Sequence, residues 1–295
     1  MSIPFLKDDS LAPGAVEQTA PGIRRVLCGN PGPFTYRGTN SWIIGQGNSV
    51  AILDPGPVDA AHLAALLDAT KGERITHILV THTHRDHSPG VAALKAATGA
   101  PSYGFGPHMT PPEQGGEGGD HDFRPDVVLA DGATVAGADW RVTALHTPGH
   151  CANHLCFALE NAHTSRTLFS ADHVMSWSTS VVSPPDGDMA AYMASLGKLQ
   201  ARDDDLYLPG HGPPLPNPQP FVAALAKHRR EREARVLEEL RRAGRASAEA
   251  LVPAVYGATL DPRLIPAAAR SLTAHLIKLA AEGAARQEAG VWMVS

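Results

Sequence analysis

The stretch Ile75-Thr76-His77-Ile78-Leu79-Val80-Thr81-His82-Thr83-His84-Arg85-Asp86-His87 decides how this chain is read. Its first six residues are mostly apolar and rich in β-branching, which predicts a buried strand. The next seven place four potential metal ligands, His82, His84, Asp86 and His87, in the pattern H-x-H-x-D-H directly after that strand. Neutral imidazoles and a carboxylate are what zinc and related divalent cations take in hydrolytic sites, and a loop leaving a strand end can turn alternate side chains into one cavity. A chain with 15 histidines can gather some by chance, but this spacing after a buried strand is demanding.

The rest of the chain supplies further ligand types in order. His150 stands in Thr147-Pro148-Gly149-His150, Asp172 in Phe169-Ser170-Ala171-Asp172-His173, and His211 in Leu208-Pro209-Gly210-His211-Gly212, each just past an apolar, strand-like segment. Glycines beside His150 and His211 are expected to let the backbone turn sharply there. Taken singly, a histidine after a turn is more often structural; the ordered set carries the argument.

On these residues the chain resembles the metallo-β-lactamase superfamily over nearly its whole length. The resemblance implies an α+β fold, an αββα sandwich with a metal site at one edge of its two sheets. It implies that His82, His84 and His150 hold one metal, that Asp86, His87 and His211 hold the second, and that Asp172 bridges them, with Asp86 and Asp172 as the catalytic carboxylates. Asp54, in Asp54-Pro55-Gly56, ends a strand and is open to two readings: a turn cap, or the residue that in this superfamily lies under the histidine loop and hydrogen-bonds it. Two departures stand out. Ala171 sits where the superfamily usually has Gly before the bridging Asp, and Arg85 fills a variable slot; neither removes a ligand.

The 295 residues suggest about two domains. No apolar run reaches membrane-spanning length, and the start Met1-Ser2-Ile3-Pro4-Phe5-Leu6-Lys7-Asp8-Asp9 lacks the basic and apolar regions of a signal peptide, so a cytoplasmic location and no membrane partner are expected. Cys28, Cys151 and Cys156 are an odd, scattered set that argues against a disulfide framework. Cys151, next to His150, is open to reading as a ligand or redox switch, but a small residue beside a ligand is the simpler role. The formal charge of −5 is unevenly spread: residues 1–216 carry 13 basic and 22 acidic side chains, residues 217–295 carry 12 and 8.

Punctuation along the chain gives the layout. Strands are expected at Ser41–Ile44 and Val50–Leu53, a helix over Val58–Thr70 capped by Asp59, and a helix over Ser88–Thr98 opened by Ser88 as cap and Pro89. Gly104–Pro125, with Gly115-Gly116-Glu117-Gly118-Gly119, is a long loop suited to covering a substrate; His108 and His121 within it are expected to face solvent. Pro213-Pro214-Leu215-Pro216-Asn217-Pro218-Gln219-Pro220 reads as a stiff linker, dividing a catalytic domain, 1–216, from a C-terminal domain, 217–295. Helices over Phe221–Ala243, Ala248–Tyr256 and Pro266–Glu282, then a strand at Val291–Val294, look like a small winged-helix domain. That order, and Asn30-Pro31-Gly32-Pro33-Phe34-Thr35-Tyr36-Arg37-Gly38-Thr39-Asn40, are similar to the β-lactamase-like protein 2 branch of the superfamily.

The expected activity is hydrolysis with two divalent ions, zinc first, with manganese or iron as alternatives, acting through a metal-bridging hydroxide on a small ester, thioester or lactone. Two alternatives stay open. The branch resemblance implies an endoribonuclease on single-stranded RNA, for which Lys227-His228-Arg229-Arg230-Glu231-Arg232-Glu233-Ala234-Arg235 could contact phosphates; alternating Glu residues and the lack of interleaved aromatics favour a solvated helix instead. A mononuclear iron persulfide dioxygenase shares H-x-H-x-D-H. A small-molecule substrate is the expected partner, with RNA second and a homo-oligomer open.

Overall fold

The computed structural model describes residues 3–7, 10–114, 118–161, 166–257, 260–261 and 264–295. Gly115, Gly116 and Glu117 of the glycine-rich run, and Met1, Ser2, Asp8 and Asp9 of the opening stretch, lie outside the described residues.

Two sheets form the centre. The first has seven strands in chain order: β1 (Val16–Ala20), β2 (Ile23–Leu27), β3 (Asn40–Ile44), β4 (Val50–Leu53), β5 (Ile75–Leu79), β6 (Ser102–Gly104) and β7 (Val127–Val128), with α1 (Ala60–Ala69) after β4 and α2 (Val91–Thr98) after β5. The second runs in the order β13-β12-β11-β10-β9-β8. Its strands are β8 (Thr134–Ala136), β9 (Trp140–His146), β10 (Leu155–Asn161), β11 (Thr167–Ala171), β12 (Leu206–Pro209) and β13 (Leu215–Pro216), with α3 (Met189–Gln200) between β11 and β12.

Sequence pattern explains the layers. β3 and β4 are buried along their whole length, as strands covered on both faces must be. Trp42, Ile44, Leu53 and Leu79 point between the sheets against Val142, Phe157, Phe169 and Leu208. On the outer face of the first sheet, Ile43, Ile52 and Ile78 meet Leu66 of α1 and Leu94 of α2. On the outer face of the second, Leu168 and Tyr207 meet Tyr192, Leu196 and Leu199 of α3 and Phe221, Val222 and Leu225 of α4 (Gln219–Ala243). The result is the expected αββα sandwich. Each such buried side chain contributes about 1.5–3 kcal/mol of transfer free energy.

A separate core lies beyond, where Val236 and Leu240 at the end of α4 pack with α5 (Ala248–Tyr256), α6 (Ile265–Ala281) and Trp292. A three-stranded sheet completes it: β14 (Arg245–Ala246), β15 (Ala285–Glu288) and β16 (Val291–Val294), in the order β14-β16-β15. This is a winged-helix domain, and β14 and β15 carry too short or too charged a pattern to be read from sequence.

Two local expectations are corrected. The proline-rich stretch is not a linker: Leu215–Pro216 is an edge strand paired with Leu206 and Tyr207, a place that tolerates a residue without an N–H. Pro218 and Pro220 then open α4, where the first turn has no use for that donor. Ser88 does not cap α2; Gly90 holds that position, and the Ser88 hydroxyl donates instead to Asp120 Oδ2 at 2.5 Å. No helix among the described residues is long and apolar enough to cross a membrane.

Candidate metal centre

The ends of β5, β9, β11 and β12 meet at one edge of the sandwich, and the loops that follow them carry His82 to His87, His150, Asp172 and His211. Backbone contacts between the two sheets fix that edge. Leu155 donates its N–H to the Thr81 carbonyl (2.7 Å), and Asn40 donates its own N–H to Gly210 O (2.8 Å) and its carboxamide to Pro209 O and Gly212 O (3.0 and 2.8 Å). Asn40 therefore grips the His211 turn from both sides, a role that one position in a polar stretch could not advertise.

All seven candidate ligands converge. His84 Nδ1 lies 3.1 Å from His82 Nε2 and 3.0 Å from His150 Nε2. In a second group, His211 Nε2 lies 3.3 Å from His87 Nε2 and 3.1 Å from Asp86 Oδ2. A tetrahedral zinc with nitrogen ligands at about 2.0–2.1 Å separates neighbouring ligand atoms by about 3.3 Å, so both groups have the spacing of a coordination shell. Asp172 stands between them: its Oδ2 is 3.6 Å from His150 Nε2 and 3.5 Å from His211 Nε2, and its Oδ1 is 3.6 Å from His87 Nε2. Asp172 Oδ1 is buried without a hydrogen-bond partner among the described residues. A buried carboxylate oxygen left so is costly, and a cation between the groups would satisfy it.

The outward nitrogens are pinned. His150 Nδ1 donates to Val181 O (2.6 Å) and His211 Nδ1 to Gly38 O (3.1 Å). His87 Nδ1 donates to Asp54 Oδ2 (2.9 Å), which also accepts from the Thr81 hydroxyl (2.6 Å), while Asp54 Oδ1 accepts the Thr81 N–H (2.8 Å). With its proton given to Asp54, Thr81 Oγ1 is left to accept from His82 Nδ1 at 2.9 Å. In all four histidines Nε2 thus faces inward, the ring orientation a metal ligand needs. Asp54 lies under the histidine loop, as one of its two sequence readings has it.

Electrostatics divide the groups. Burial pushes His82 well below the usual imidazole range and His84 down to about 3, so both are neutral. Burial also opposes charge on His87 and His211, yet Asp86 and Asp172 overcome it, holding His87 well above its ordinary value and His211 at about 10. The same pairs outweigh burial at Asp86 and Asp172 and keep both carboxyls below the usual carboxylate range.

Glycine has two different causes here. Gly149 has φ +133°, and a Cβ there would stand 2.3 Å from Tyr192 Cα. Beside His211 the positive φ is at Gly212 (+85°) and not at Gly210, where a Cβ would meet Asp172 Oδ1 at 2.4 Å and His87 Cε1 at 2.9 Å. The site itself excludes a side chain. Cys151 is fully buried, its thiol pushed well above the ordinary range by burial and donating to Asn153 Oδ1 at 3.3 Å. His108 is half-buried rather than solvent-facing and pairs with Thr83 Oγ1 at 2.9 Å, and the loop beyond it is tied down where Asp120 donates its N–H to Thr83 O and Arg85 its N–H to Gly118 O (both 2.7 Å).

A cavity of about 400 Å³ opens on the site, lined by His84, Asp86, His150 and Asp172, by Phe34, Met175, Val181 and Pro184, and by Arg85, Asp186 and Arg270. Arg270 comes from α6, so the C-terminal domain forms part of the wall. Three arginines of α4 are committed elsewhere: Arg229 is buried, Arg232 lies over the Tyr256 ring at 4.0 Å, and Arg235 donates to Ala254 O at 2.7 Å, while Arg230 and Arg241 are exposed.

Residues 35–211 match the family described as Metallo-beta-lactamase superfamily, and residues 247–292 match the Beta-lactamase associated winged helix domain. A protein named atrochrysone carboxyl ACP thioesterase from Passalora fulva is 34% identical, covering 83% of this chain and 71% of that protein; one of the same name from Paecilomyces divaricatus is 35% identical, covering 84% and 76%. Among solved structures, a beta-lactamase domain protein from Burkholderia ambifaria aligns with a TM-score of 0.78 at 24% identity, covering 97% of this chain and 96% of that one. A metallo-beta-lactamase family protein from Thermus thermophilus aligns with a TM-score of 0.76 at 21% identity, covering 93% and 99%.

Proposed function

Because the chain belongs to the metallo-β-lactamase superfamily of metal-dependent hydrolases, we propose that it hydrolyses acyl thioesters with two divalent cations, zinc first. His82, His84 and His150 would hold one ion, Asp86, His87 and His211 the other, and Asp172 both. The observation that carries this reading is Asp172, whose two oxygens face both donor groups while one of them lacks any other partner. When bound, such a pair of cations lowers the pKa of a shared water, polarises the carbonyl and stabilises the developing anion.

The chain's own contribution is orientation and shape. Asp54, Val181 and Gly38 hold the imidazoles through their outward nitrogens, so the inward Nε2 atoms need no reorientation. Phe34, Met175, Val181 and Pro184 offer an apolar wall for an acyl group beside the ligands. A thiol with a pKa near 8.5 leaves as thiolate without a proton donor, so a thioester asks the least of this site. The thioesterase names of relatives at 34 and 35% identity support the same choice. Arg229, Arg232 and Arg235, turned inward or covered, take three cations out of any phosphate-binding face on α4.

The two cores support a division near residue 216, with α4 shared: its first turns pack on the sandwich and its last on the winged helix. The test is release of free thiol from acyl-coenzyme A and acyl-pantetheine thioesters, run beside matched esters, lactones and labelled single-stranded RNA, with metal counted on the same sample. Thioester turnover with close to two equivalents of metal is expected. RNA cleavage without thioester turnover, or one iron per chain with oxygen uptake, would replace this reading.

A further inference from the structure

Arg229 is the feature of the C-terminal helices that surface chemistry does not explain. It sits midway along α4, is 5% exposed, and among the described residues no carboxylate pairs with it. A buried guanidinium is expensive unless its geometry is used. Its Nη2 donates to the Ser180 carbonyl, and its guanidinium carbon lies 5.2 Å from the centre of the Tyr192 ring.

Ser180 and its neighbour lead straight to the metal centre. The Ser180 hydroxyl donates to the backbone carbonyl of Asp172, and it lies 2.9 Å from that of His173. The next carbonyl, Val181 O, accepts from His150 Nδ1 at 2.6 Å. Tyr192, under Arg229, donates its hydroxyl to His173 O at 3.0 Å. One short segment, 180–181, therefore fixes the backbone of Asp172 and the ring of His150, and Arg229 holds that segment from behind. One turn on, Glu233 accepts from Lys278 Nζ (2.7 Å) and pairs with His275 Nδ1 (3.3 Å), both on α6. The strut thus runs from the winged-helix domain to the centre.

We propose that Arg229 is a positioning residue that sets the geometry of Asp172 and His150 through Ser180 and Val181, making the C-terminal domain part of the metal site without contributing a ligand. This rests on reading Asp172 and His150 as ligands. The fork of guanidinium donors suits a backbone carbonyl and an aromatic face at once, which neither lysine nor an apolar residue reproduces.

The test uses the full chain and compares Arg229→Met, Arg229→Lys, Ser180→Ala and Asp172→Ala with the parent protein. It reads zinc affinity by chelator competition, the visible spectrum of the cobalt(II)-substituted protein, thermal stability, and kcat and KM on a thioester. Arg229→Met should weaken zinc by about 10–100-fold, as loss of a group that orients ligands does. It should also shift the cobalt spectrum and lower kcat with KM little changed. Arg229→Lys, which keeps a donor for Ser180 O, should fall between. A folded Arg229→Met with parental zinc affinity and spectrum overturns the proposal. If that variant fails to fold, parental values in both Arg229→Lys and Ser180→Ala overturn it equally. Asp172→Ala separates the two readings: if it keeps both ions, the ligand assignment fails, whatever Arg229 does.

Discussion

The two donor groups of the centre each take two ligands from the loop after β5 and one from another strand end, yet have opposite electrostatics. The group of His82, His84 and His150 gathers imidazoles with no carboxylate of its own, and burial keeps His82 and His84 neutral. The group of Asp86, His87 and His211 is a set of charges that already compensates itself, with protonated imidazoles lying against carboxylates. Without a cation the first group is three nitrogens facing one another; the second is an ion-pair cluster. A proton can stand in for a metal only where a carboxylate is present, so the two groups should fill by different rules.

The largest effect that tests this contrast comes from the residue spanning it. Asp172→Ala should cost at least one equivalent of metal and about 10³-fold in turnover, since charge stabilisation by a cation is worth several kcal/mol and each 1.36 kcal/mol is tenfold. Metal analysis and thiol release on one preparation check it. Parental turnover would mean that the groups act independently and that Asp172 does not join them.

Proton counting sharpens the contrast. In the metal-free protein near pH 8, His211, raised to about 10, carries a proton that a cation must displace and His87 is shifted the same way by Asp86 and Asp172, whereas His82 and His84 have none to give. Filling the second group should release more protons than filling the first, read with a pH indicator during zinc titration, and its affinity should rise with pH. Stability follows the sign of the shift. His211, raised to about 10, stabilises the metal-free fold fully below its unfolded value near 6.5, and that contribution is lost as pH rises through about 10. The metal-free protein should therefore lose thermal stability over that window while the loaded protein does not. Equal proton release from both groups would remove the asymmetry.

A smaller effect comes from Asp54, which touches both groups, His87 directly and His82 through Thr81. Asp54→Asn should weaken metal binding by about 10–100-fold, with the second group losing more, because only His87 loses a charged acceptor. Stepwise chelator titration resolves the two equilibria. Equal loss in both would show that Asp54 acts through the loop backbone alone.

The part of this centre that was legible in the sequence is the part that is local. H-x-H-x-D-H follows from one strand and its loop, and each later ligand follows an apolar run of its own, so residue type and order sufficed for all seven candidates, and the family resemblance they carry implied the sandwich. What was not legible depends on which distant segments pack together. Arg229 sits in a run of alternating charge that reads as a solvated helix, and only the packing of α4 on the sandwich turns it inward. The prolines at 213–220 carry the same local restriction in a linker as in an edge strand and a helix start; pairing with β12 decides between them. Gly210 looked like a turn residue, and its cause is instead the space taken by Asp172 and His87, 38 and 123 positions earlier in the chain.

Ala171 gives the smallest and most local test, and it bears on the same bridging carboxylate. Its φ is +45°, a left-handed conformation that costs a residue with a Cβ about 1–2 kcal/mol. That strain falls on the residue immediately before Asp172, at the end of β11, and explains why glycine would be the easier choice there. Ala171→Gly relieves it and gives back part of the gain as unfolded-state entropy, about 0.4–1 kcal/mol. The fold should therefore become more stable by about 0.5–1 kcal/mol in denaturant titration, with metal content and turnover unchanged. If the variant gains stability but loses metal or turnover, the strained backbone is helping to aim Asp172 at the two groups, and the alanine is part of how this chain holds its bridge.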